Sequence, residues 1–271
     1  HRFFNMGIAE QNLMGTAAGL AAAGKIAFAS TFAVFATGRA FEQIRNSIAY
    51  NKLNVKIAAT HAGLTVGEDG ASHQSVADLA VMRALPNMTV IVPADGIEAE
   101  QAVFAAAEHE GPVYIRLGRS GVPVIYDSAY EFRIGKASVL KEGREVTIFA
   151  TGIMVSEALK AAEQLAAEGL EIGVINISTL KPLDTEAIIR AAQETGAVVT
   201  AEEHNIIGGL GSAVAEVLAE NCPVPLVRVG IQDTFGESGK PQELLDKYGL
   251  NVSTVREAVR KAIQRKKSPC C

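Results

Sequence analysis

Short apolar segments alternate with helix-like segments along almost the whole chain, and this alternation constrains the fold more than any other feature. Apolar runs such as residues 55–60 and 113–117 are typical of strands that are buried on both faces, as in parallel sheets. Segments between such runs, for example residues 97–109, have the apolar spacing of helices. The pattern predicts the α/β class, with mostly parallel sheets flanked by helices.

The periodicity lapses once, in a stretch between residues 118 and 135 that is rich in Gly, Pro, Tyr and Ser. A chain of 271 residues is long enough for two domains of about 100–150 residues each. We therefore expect one domain over residues 1–125, a linker over 126–134 and a second domain over 135–267. The first domain starts at what has the pattern of a second strand, so another chain or a preceding segment is expected to complete it.

Composition and charge exclude several classes of protein. The net charge is -5, and the one basic cluster, residues 260–267, is short, so no nucleic acid is expected to bind. The longest apolar stretches, such as residues 17–23, are far shorter than the roughly 20 residues of a membrane span. Three cysteines, of which Cys270 and Cys271 are adjacent, form no disulfide framework. We expect a cytoplasmic protein.

Glu10 stands at the start of a nearly apolar, Ala-rich helix over residues 8–23. A glutamate in this position most often complements the helix dipole. A carboxyl group buried in such surroundings can instead stay protonated near neutral pH and donate a hydrogen bond to a ring nitrogen. Phe32 and Phe35 follow at a strand-to-helix junction, where they can belong to the core or form an apolar slot for a flat ring.

The segment from Thr60 to Gln74 carries two of the five histidines, His61 and His73, together with Asp69. It follows a predicted strand directly, and ligands in open α/β sheets bind at the carboxyl ends of strands. The two histidines lie twelve positions apart without the usual spacing of metal ligands, which disfavours a metal site. A polar sugar site, with imidazoles that exchange protons with substrate oxygens, and a solvated surface loop both remain open.

Arg119 follows the predicted strand over residues 113–117. A guanidinium at this position can bind a phosphate through two parallel hydrogen bonds. It can equally form an ordinary surface ion pair, and the sequence does not separate the two interpretations.

Five motifs follow one another along the first half of the chain: GIAEQ at residues 7–11, TFAVF at 31–35, THAGLTVGEDGASHQ at 60–74, PADG at 93–96 and RLGR at 116–119. Taken in this order, they resemble the thiamine diphosphate–dependent transketolase family. AEEHN at 201–205 and GGLG at 208–211 resemble the C-terminal domain of that family. The resemblance covers nearly the whole chain and implies a thiamine diphosphate–binding fold followed by a transketolase C-terminal-like domain.

The resemblance implies roles for the residues that match the motifs. Glu10 would place its carboxyl group at the aminopyrimidine N1′ of thiamine diphosphate, and Phe32 and Phe35 would line the pocket of that ring. Gly38 stands where many transketolases have a third aromatic residue. The pocket is therefore expected to be shaped differently or to be filled by another side chain.

The substrate residues follow from the same comparison. His61, Asp69 and His73 would contact the sugar, and Arg119 would bind its phosphate. Among them His73 is the best candidate for proton transfer to substrate oxygens, with Glu10 and His61 as the other catalytic candidates. The GGLG turn is expected to start a helix, in a second domain that is usually peripheral to catalysis and supports dimerisation.

One motif of the family is absent. The family binds the diphosphate and Mg²⁺ with a GDG motif and a later pair of Asn residues, and the nearest strings here, residues 68–70 and 94–96, lack both features. The resemblance therefore implies that an N-terminal-type subunit or module supplies the diphosphate and Mg²⁺ site, within a dimer-based assembly. Alternatively, the chain is one piece of a single long enzyme.

The expected reaction is the transfer of a two-carbon ketol unit between phosphorylated sugars, as in the pentose phosphate pathway. The alternatives are 1-deoxyxylulose-5-phosphate synthase, disfavoured by His61 in Thr-His-Ala, and the β subunit of 2-oxoacid dehydrogenases, disfavoured by the GEDG-x-x-HQ loop. A non-catalytic subunit on the same fold and a metal-dependent hydrolase that uses His61, Asp69 and His73 complete the set.

Overall fold

A computed structural model describes residues 2–268 of the chain, so Cys270 and Cys271 lie outside the described residues. Within this part the chain forms ten strands and eight α-helices. The strands are β1 (Ala27–Ala29), β2 (Val55–Ala59), β3 (Thr89–Ile91), β4 (Val113–Arg116), β5 (Ser138–Lys141), β6 (Val146–Ala150), β7 (Ile172–Asn176), β8 (Thr179–Lys181), β9 (Val198–Asn205) and β10 (Leu226–Ile231). The α-helices are α1 (Glu10–Ala22), α2 (Asp78–Ala84), α3 (Gly96–Glu108), α4 (Met154–Ala166), α5 (Thr185–Thr195), α6 (Leu210–Asn221), α7 (Pro241–Lys247) and α8 (Val252–Lys267).

Two five-stranded sheets organise these elements, in the strand orders β1-β2-β4-β3-β8 and β10-β9-β6-β7-β5. All pairs are parallel except those made by the edge strands β8 and β5. The predicted α/β fold of two mostly parallel sheets flanked by helices is therefore confirmed. One pairing was not foreseen: β8 follows the first strands of the second half in sequence, yet pairs with β3 of the first sheet.

Burial explains why the strands form where they do. All five residues of β6 are buried, as expected for a central strand with a helical layer on each face. β9 is unusual, because its buried residues include Glu202, Glu203 and His204. Charged side chains are seldom fully buried unless they have partners, so this strand indicates a polar network between the two sheets.

The segment after β1 departs from ordinary helical geometry. The sequence predicts helical spacing over residues 35–51, and the structure has two π-helical segments there, Phe35–Arg39 and Gln43–Ala49. Segments of this wider helix are rare and often occur at functional sites. Phe35, a candidate for the ring pocket, begins the first of them.

The segment between β4 and β5 contains neither helix nor strand, and it includes the predicted linker over residues 126–134. It is held against α3, because the Asp95 carboxylate accepts hydrogen bonds from the amides of Ile125 and Tyr126 at 2.7 and 2.9 Å. The ring of Tyr126 stacks on that of Tyr130 at a centroid distance of 3.7 Å. The two domain limits themselves stay predictions. Within residues 2–268, no helix combines the length and the apolar character needed to span a membrane.

Candidate functional site

Four predicted residues come together at the carboxyl ends of β1 and β2. The imidazole of His61 stacks on the ring of Phe32 at a centroid distance of 3.7 Å. The ring of Phe35 is nearly parallel to that of Phe32, with 6.0 Å between these two centroids. His73 meets Phe32 and Phe35 edge-on at 6.3 and 5.3 Å. We call Phe32, Phe35, His61 and His73 the aromatic cluster; all four side chains are half-buried.

Backbone pairing beyond the two strands places this cluster. The Ala33 amide donates to the Thr60 carbonyl at 2.7 Å, and the Thr60 amide donates to the Thr31 carbonyl at 3.0 Å. These bonds extend the β1–β2 pairing and set Phe32 beside Thr60. The next residue, His61, has a φ of 57°, a left-handed conformation that is uncommon for a non-glycine residue. This turn directs the chain away from the sheet where the loop begins.

Glu10 begins α1 and is buried, with 5% of its surface exposed. Its Oε2 accepts a hydrogen bond from Nη1 of Arg39 at 2.9 Å. The Arg39 guanidinium also lies over the Phe35 ring, 4.5 Å from its centroid, which is a cation–π geometry. Arg39 therefore connects Glu10 to the aromatic cluster.

No motif in the sequence predicted a role for Arg39. This residue directly follows Gly38, the position where the expected third aromatic residue is absent. The charged side chain of Arg39 therefore lies over the Phe35 ring, one residue after the position where another ring was expected. That departure from the motif was the signal that could have identified it.

Asp69 and Arg119, the predicted hydroxyl and phosphate contacts, form an ion pair with 3.2 Å between Oδ2 and Nη1. The same Nη1 donates to the Val66 carbonyl at 2.7 Å. Both side chains are exposed, so the contribution of this pair to stability is small. Arg119 therefore has the surface ion pair that the sequence left as one interpretation, and its guanidinium remains accessible to an anion.

The pair also lies close enough to affect His61. Partial burial lowers the pKa of the His61 imidazole, Arg119 lowers it further, and Asp69 opposes the change. Burial and a nearby cation both disfavour the charged imidazolium. The neutral imidazole of His61 is therefore favoured, and in this form it can accept a proton from a substrate hydroxyl. His61, Asp69 and Arg119 thus belong to one electrostatic environment.

We call residues 60–74 the histidine loop, and it is anchored rather than solvated. Its central residues Leu64–Gly67 are buried. The Gln74 amide donates to the carbonyls of Leu64 and Gly67 at 3.3 Å each. These contacts contradict the interpretation of the segment as a surface loop with solvated histidines.

A metal centre has no geometric support in the part of the chain that the structure describes. No group of three or more His, Cys, Asp or Glu side chains in residues 2–268 is placed to hold a metal ion. His61 and His73 instead contact phenylalanine rings.

Phe32, His61 and Arg119 thus lie beyond the ends of neighbouring strands of one sheet, as ligand-binding residues in open α/β sheets do, while Glu10 lies at the start of α1. Two family models match the chain, one over each half. The family of the transketolase pyrimidine-binding domain matches residues 1–124, and that of the transketolase C-terminal domain matches residues 135–255. The chain belongs to the transketolase family.

Individual members of the transketolase family match almost the whole chain. A protein of Methanocaldococcus jannaschii described as a transketolase C-terminal section is 51% identical over 267 residues, which cover 97% of this chain and 84% of that protein. The 6-deoxy-6-sulfo-D-fructose transketolase subunit of Clostridium sp. (strain MSTE9) is 49% identical, covering 98% and 82%. A solved "split gene transketolase, inactive beta4 tetramer" superposes with a TM-score of 0.93 at 63% identity, covering 98% and 85%.

Proposed function

We propose that this chain is the C-terminal subunit or section of a transketolase that uses thiamine diphosphate to transfer a two-carbon ketol unit between phosphorylated sugars. One observation carries the proposal. The aromatic cluster, which contains both histidines of the histidine loop, lies next to the buried Glu10 through Arg39. A ring-binding surface and groups that can exchange protons are therefore in one place.

The residues present fit the aminopyrimidine ring. Phe32 and Phe35 lie 12° from parallel and offer an apolar surface to a planar heterocycle. Oε2 of Glu10 pairs with Arg39, whereas Oε1 takes no hydrogen bond from any side chain or amide of residues 2–268. That oxygen is free to meet a ring nitrogen. When bound, thiamine diphosphate supplies the nucleophilic carbon and the electron sink needed to break a sugar carbon–carbon bond.

The chain's own residues orient the reactants and move protons. Glu10 would hydrogen-bond the ring nitrogen, and Arg39 fixes the direction of the Glu10 carboxyl group. The Phe32 ring limits the access of water to His61. The neutral imidazole of His61 accepts a proton from a sugar hydroxyl, and His73 exchanges a proton with the substrate carbonyl oxygen.

Substrate orientation falls to the Asp69–Arg119 pair. Asp69 orients a sugar hydroxyl, and the exposed Arg119 guanidinium binds the terminal phosphate. Bound in this way at both ends, the sugar is positioned for reaction, and positioning makes up a large part of catalysis of this kind.

A partner that supplies the diphosphate and Mg²⁺ site completes the proposal. The names of two relatives, a C-terminal section and a split gene transketolase, support a division of the enzyme between two polypeptides. Phe3, Phe4 and Ile8 are 82%, 58% and 93% exposed and lie just before Glu10. An exposed apolar strip of this kind favours a protein interface, here with the N-terminal-type subunit in a cytoplasmic, dimer-based assembly.

The exposed Arg119 guanidinium also bears on which donor sugar the enzyme uses. Arg119 can bind a sulfonate as well as a phosphate, since both present several anionic oxygens. The relative named for 6-deoxy-6-sulfo-D-fructose is 49% identical. A sulfonated ketose is therefore the second candidate donor.

The test measures ketol transfer to ribose 5-phosphate from xylulose 5-phosphate and from 6-deoxy-6-sulfo-D-fructose, with thiamine diphosphate and Mg²⁺. The chain is assayed alone, with the N-terminal-type subunit encoded in the same genome, and with that subunit carrying a disrupted GDG motif. Activity in the intact mixture alone is the expected result. A stable complex that transfers from neither donor would refute the proposal.

One further reaction separates the alternatives. Condensation of pyruvate with glyceraldehyde 3-phosphate by the same complex would indicate the 1-deoxyxylulose-5-phosphate synthase. A complex that forms but is inactive in all three reactions would indicate a non-catalytic subunit.

A further inference from the structure

The histidine loop is bound by a carboxyl group from the other sheet. Glu203, on β9, accepts a hydrogen bond at Oε1 from the Thr65 amide at 2.7 Å. Thr65 lies between His61 and His73, and both partners of the bond are buried. A hydrogen bond that is shielded from water in this way is stronger than one at the surface, because the local dielectric constant is lower.

The packing at this bond depends on a glycine. Gly63 has a φ of 80°, and a Cβ at this position would overlap the Glu203 carboxyl group. Glycine is favoured here for two reasons, since the left-handed backbone and the close approach both exclude a side chain. The loop and the Glu203 side chain are thus fitted to each other.

Glu203 is itself held in place by the first sheet. Nη2 of Arg116, at the end of β4, donates to the Glu203 carbonyl at 3.0 Å. Nε of the same guanidinium donates to the buried Asp78 carboxylate at 2.8 Å. The Glu203 backbone therefore has a fixed position relative to the strands that carry the site.

Burial raises the pKa of the Glu203 carboxyl group, while Arg116 and the Thr65 amide act in the opposite direction. A buried acidic group without partners would be strongly unfavourable. The contacts with Arg116 and the loop offset that cost.

A second part of the C-terminal half supports the same loop. The Gln74 amide donates to the Glu237 carbonyl at 2.9 Å. A Cβ on Gly67 would lie 3.3 Å from the Pro241 ring, and one on Gly70 would lie 2.6 Å from Oγ of Ser238. Residues 236–241 therefore pack along the loop from its middle to its end.

We propose that Glu203 is a positioning residue whose side chain holds the histidine loop in the conformation that receives the sugar. The second domain, expected from the sequence to be peripheral, would then help to build the substrate site. The effect on sugar affinity rests on the proposed function, whereas the ordering of the loop does not.

The first experiment measures hydrogen exchange of peptides within residues 63–70 in the full chain. Glu203→Ala removes the acceptor of the Thr65 amide, and we expect exchange of this segment to become about tenfold faster, as for the loss of one buried hydrogen bond. Glu203→Gln keeps an acceptor oxygen and should restore most of the protection. Unchanged exchange in Glu203→Ala would overturn the proposal.

Glu202→Gln is the matched control. Glu202 is the preceding residue and is equally buried, but its carboxyl group accepts from the Leu210 and Gly211 amides at 2.7 and 2.8 Å. Its replacement should leave exchange over residues 63–70 unchanged. Gly63→Ala perturbs the same contact from the loop side and should accelerate exchange there even if Glu203→Ala does not fold, and slow exchange in Gly63→Ala would count against the proposal.

The second experiment uses the assembled enzyme. Glu203→Ala is expected to raise KM for the donor sugar about tenfold, with kcat changed less than the KM and thiamine diphosphate affinity unchanged. An equal loss of cofactor affinity would contradict a role confined to the loop. If the wild-type complex transfers no ketol unit, the proposed function fails, while hydrogen exchange still decides the role of Glu203.

Discussion

His61 stacks on Phe32 with their ring centroids 3.7 Å apart and their planes 11° from parallel. The two residues lie just beyond neighbouring parallel strands, β1 and β2, so their separation is set by the backbone pairing of the sheet. The contact removes one face of the imidazole from water. It therefore connects the predicted cofactor pocket to the predicted sugar site through two rings in van der Waals contact.

Replacement of Phe32 by leucine tests this contact. Burial lowers the pKa of His61, so partial exposure of the imidazole should move that pKa back toward its usual value. The measurement is an NMR titration of the imidazole in the chain alone. Phe28→Leu is the control, since Phe28 is exposed on β1 and should leave the His61 titration unchanged. No upward movement in Phe32→Leu would contradict the shielding role of this ring.

Replacing Arg119 and replacing Asp69 should shift the pKa of His61 in opposite directions. Arg119 lowers the pKa of His61 and Asp69 raises it, so Arg119→Ala should raise the pKa and Asp69→Asn should lower it. Activity that needs neutral His61 falls as the pH drops through this pKa, and Arg119→Ala moves that fall to higher pH. pH profiles of ketol transfer at saturating donor measure the change. Shifts in the same direction for both variants would rule out a direct electrostatic effect.

The two sheets could be predicted from the sequence because central parallel strands are apolar on both faces, which gives each of them a recognisable apolar run. The sequence of β8 has no such run. Thr179–Lys181 is a three-residue strand, and its antiparallel pairing with β3 depends on how the two halves pack. The pairing of such an edge strand depends on tertiary contacts, which cannot be predicted from a short local sequence.

The candidate site was predictable for a related reason. Phe32, His61 and Arg119 follow strands directly, and the ends of neighbouring parallel strands meet at one edge of the sheet. Arg39 and Glu203 were not predicted, because their partners Glu10 and Thr65 lie 29 and 138 residues away. No local pattern specifies which buried carboxyl group a distant arginine or amide will meet.

Arg39 gives a test of how Glu10 is oriented. Arg39→Met removes the ion pair with Glu10 and the cation over Phe35 while it keeps much of the aliphatic side chain. We expect the affinity of the assembled enzyme for thiamine diphosphate to fall about tenfold, as for the loss of a partly buried charge-assisted hydrogen bond. Isothermal titration calorimetry measures it.

The matched control for Arg39 is Arg45→Met. Arg45 is an exposed arginine in the second π-helical segment, and its Nη1 contacts the side chain of Asn46 rather than that of Glu10. Cofactor affinity should stay at the wild-type level in this variant. Equal affinity losses in Arg39→Met and Arg45→Met would indicate a general effect of surface charge.

Glu202 predicts a pH dependence of stability that is independent of catalysis. Burial raises the pKa of the Glu202 carboxyl group to about 7, although the amides of Gly211 and Leu210 donate hydrogen bonds to the carboxylate and oppose this rise. Between the ordinary pKa of 4.5 and the raised pKa of about 7, the Glu202 carboxyl group therefore keeps its proton in the folded chain but loses it in the unfolded chain. With more protons bound in the folded state, the free energy of unfolding decreases as the pH rises between these two values.

Glu202→Gln removes this titration, so its stability relative to the wild type should rise across the same pH window. The predicted change is on the order of 3 kcal/mol between the ordinary and the raised pKa, measured by urea unfolding at closely spaced pH values. Differences between the two chains, rather than absolute stabilities, isolate Glu202, because His204 lies 3.8 Å away and its burial lowers its own pKa to about 4. In the unfolded chain His204 binds a proton over much of the same pH window, so the stability of the wild type changes less steeply with pH. The difference in stability between the two chains still reports on Glu202. A constant difference over this range would mean that Glu202 is ionised in the folded chain, held by the amides at the start of α6.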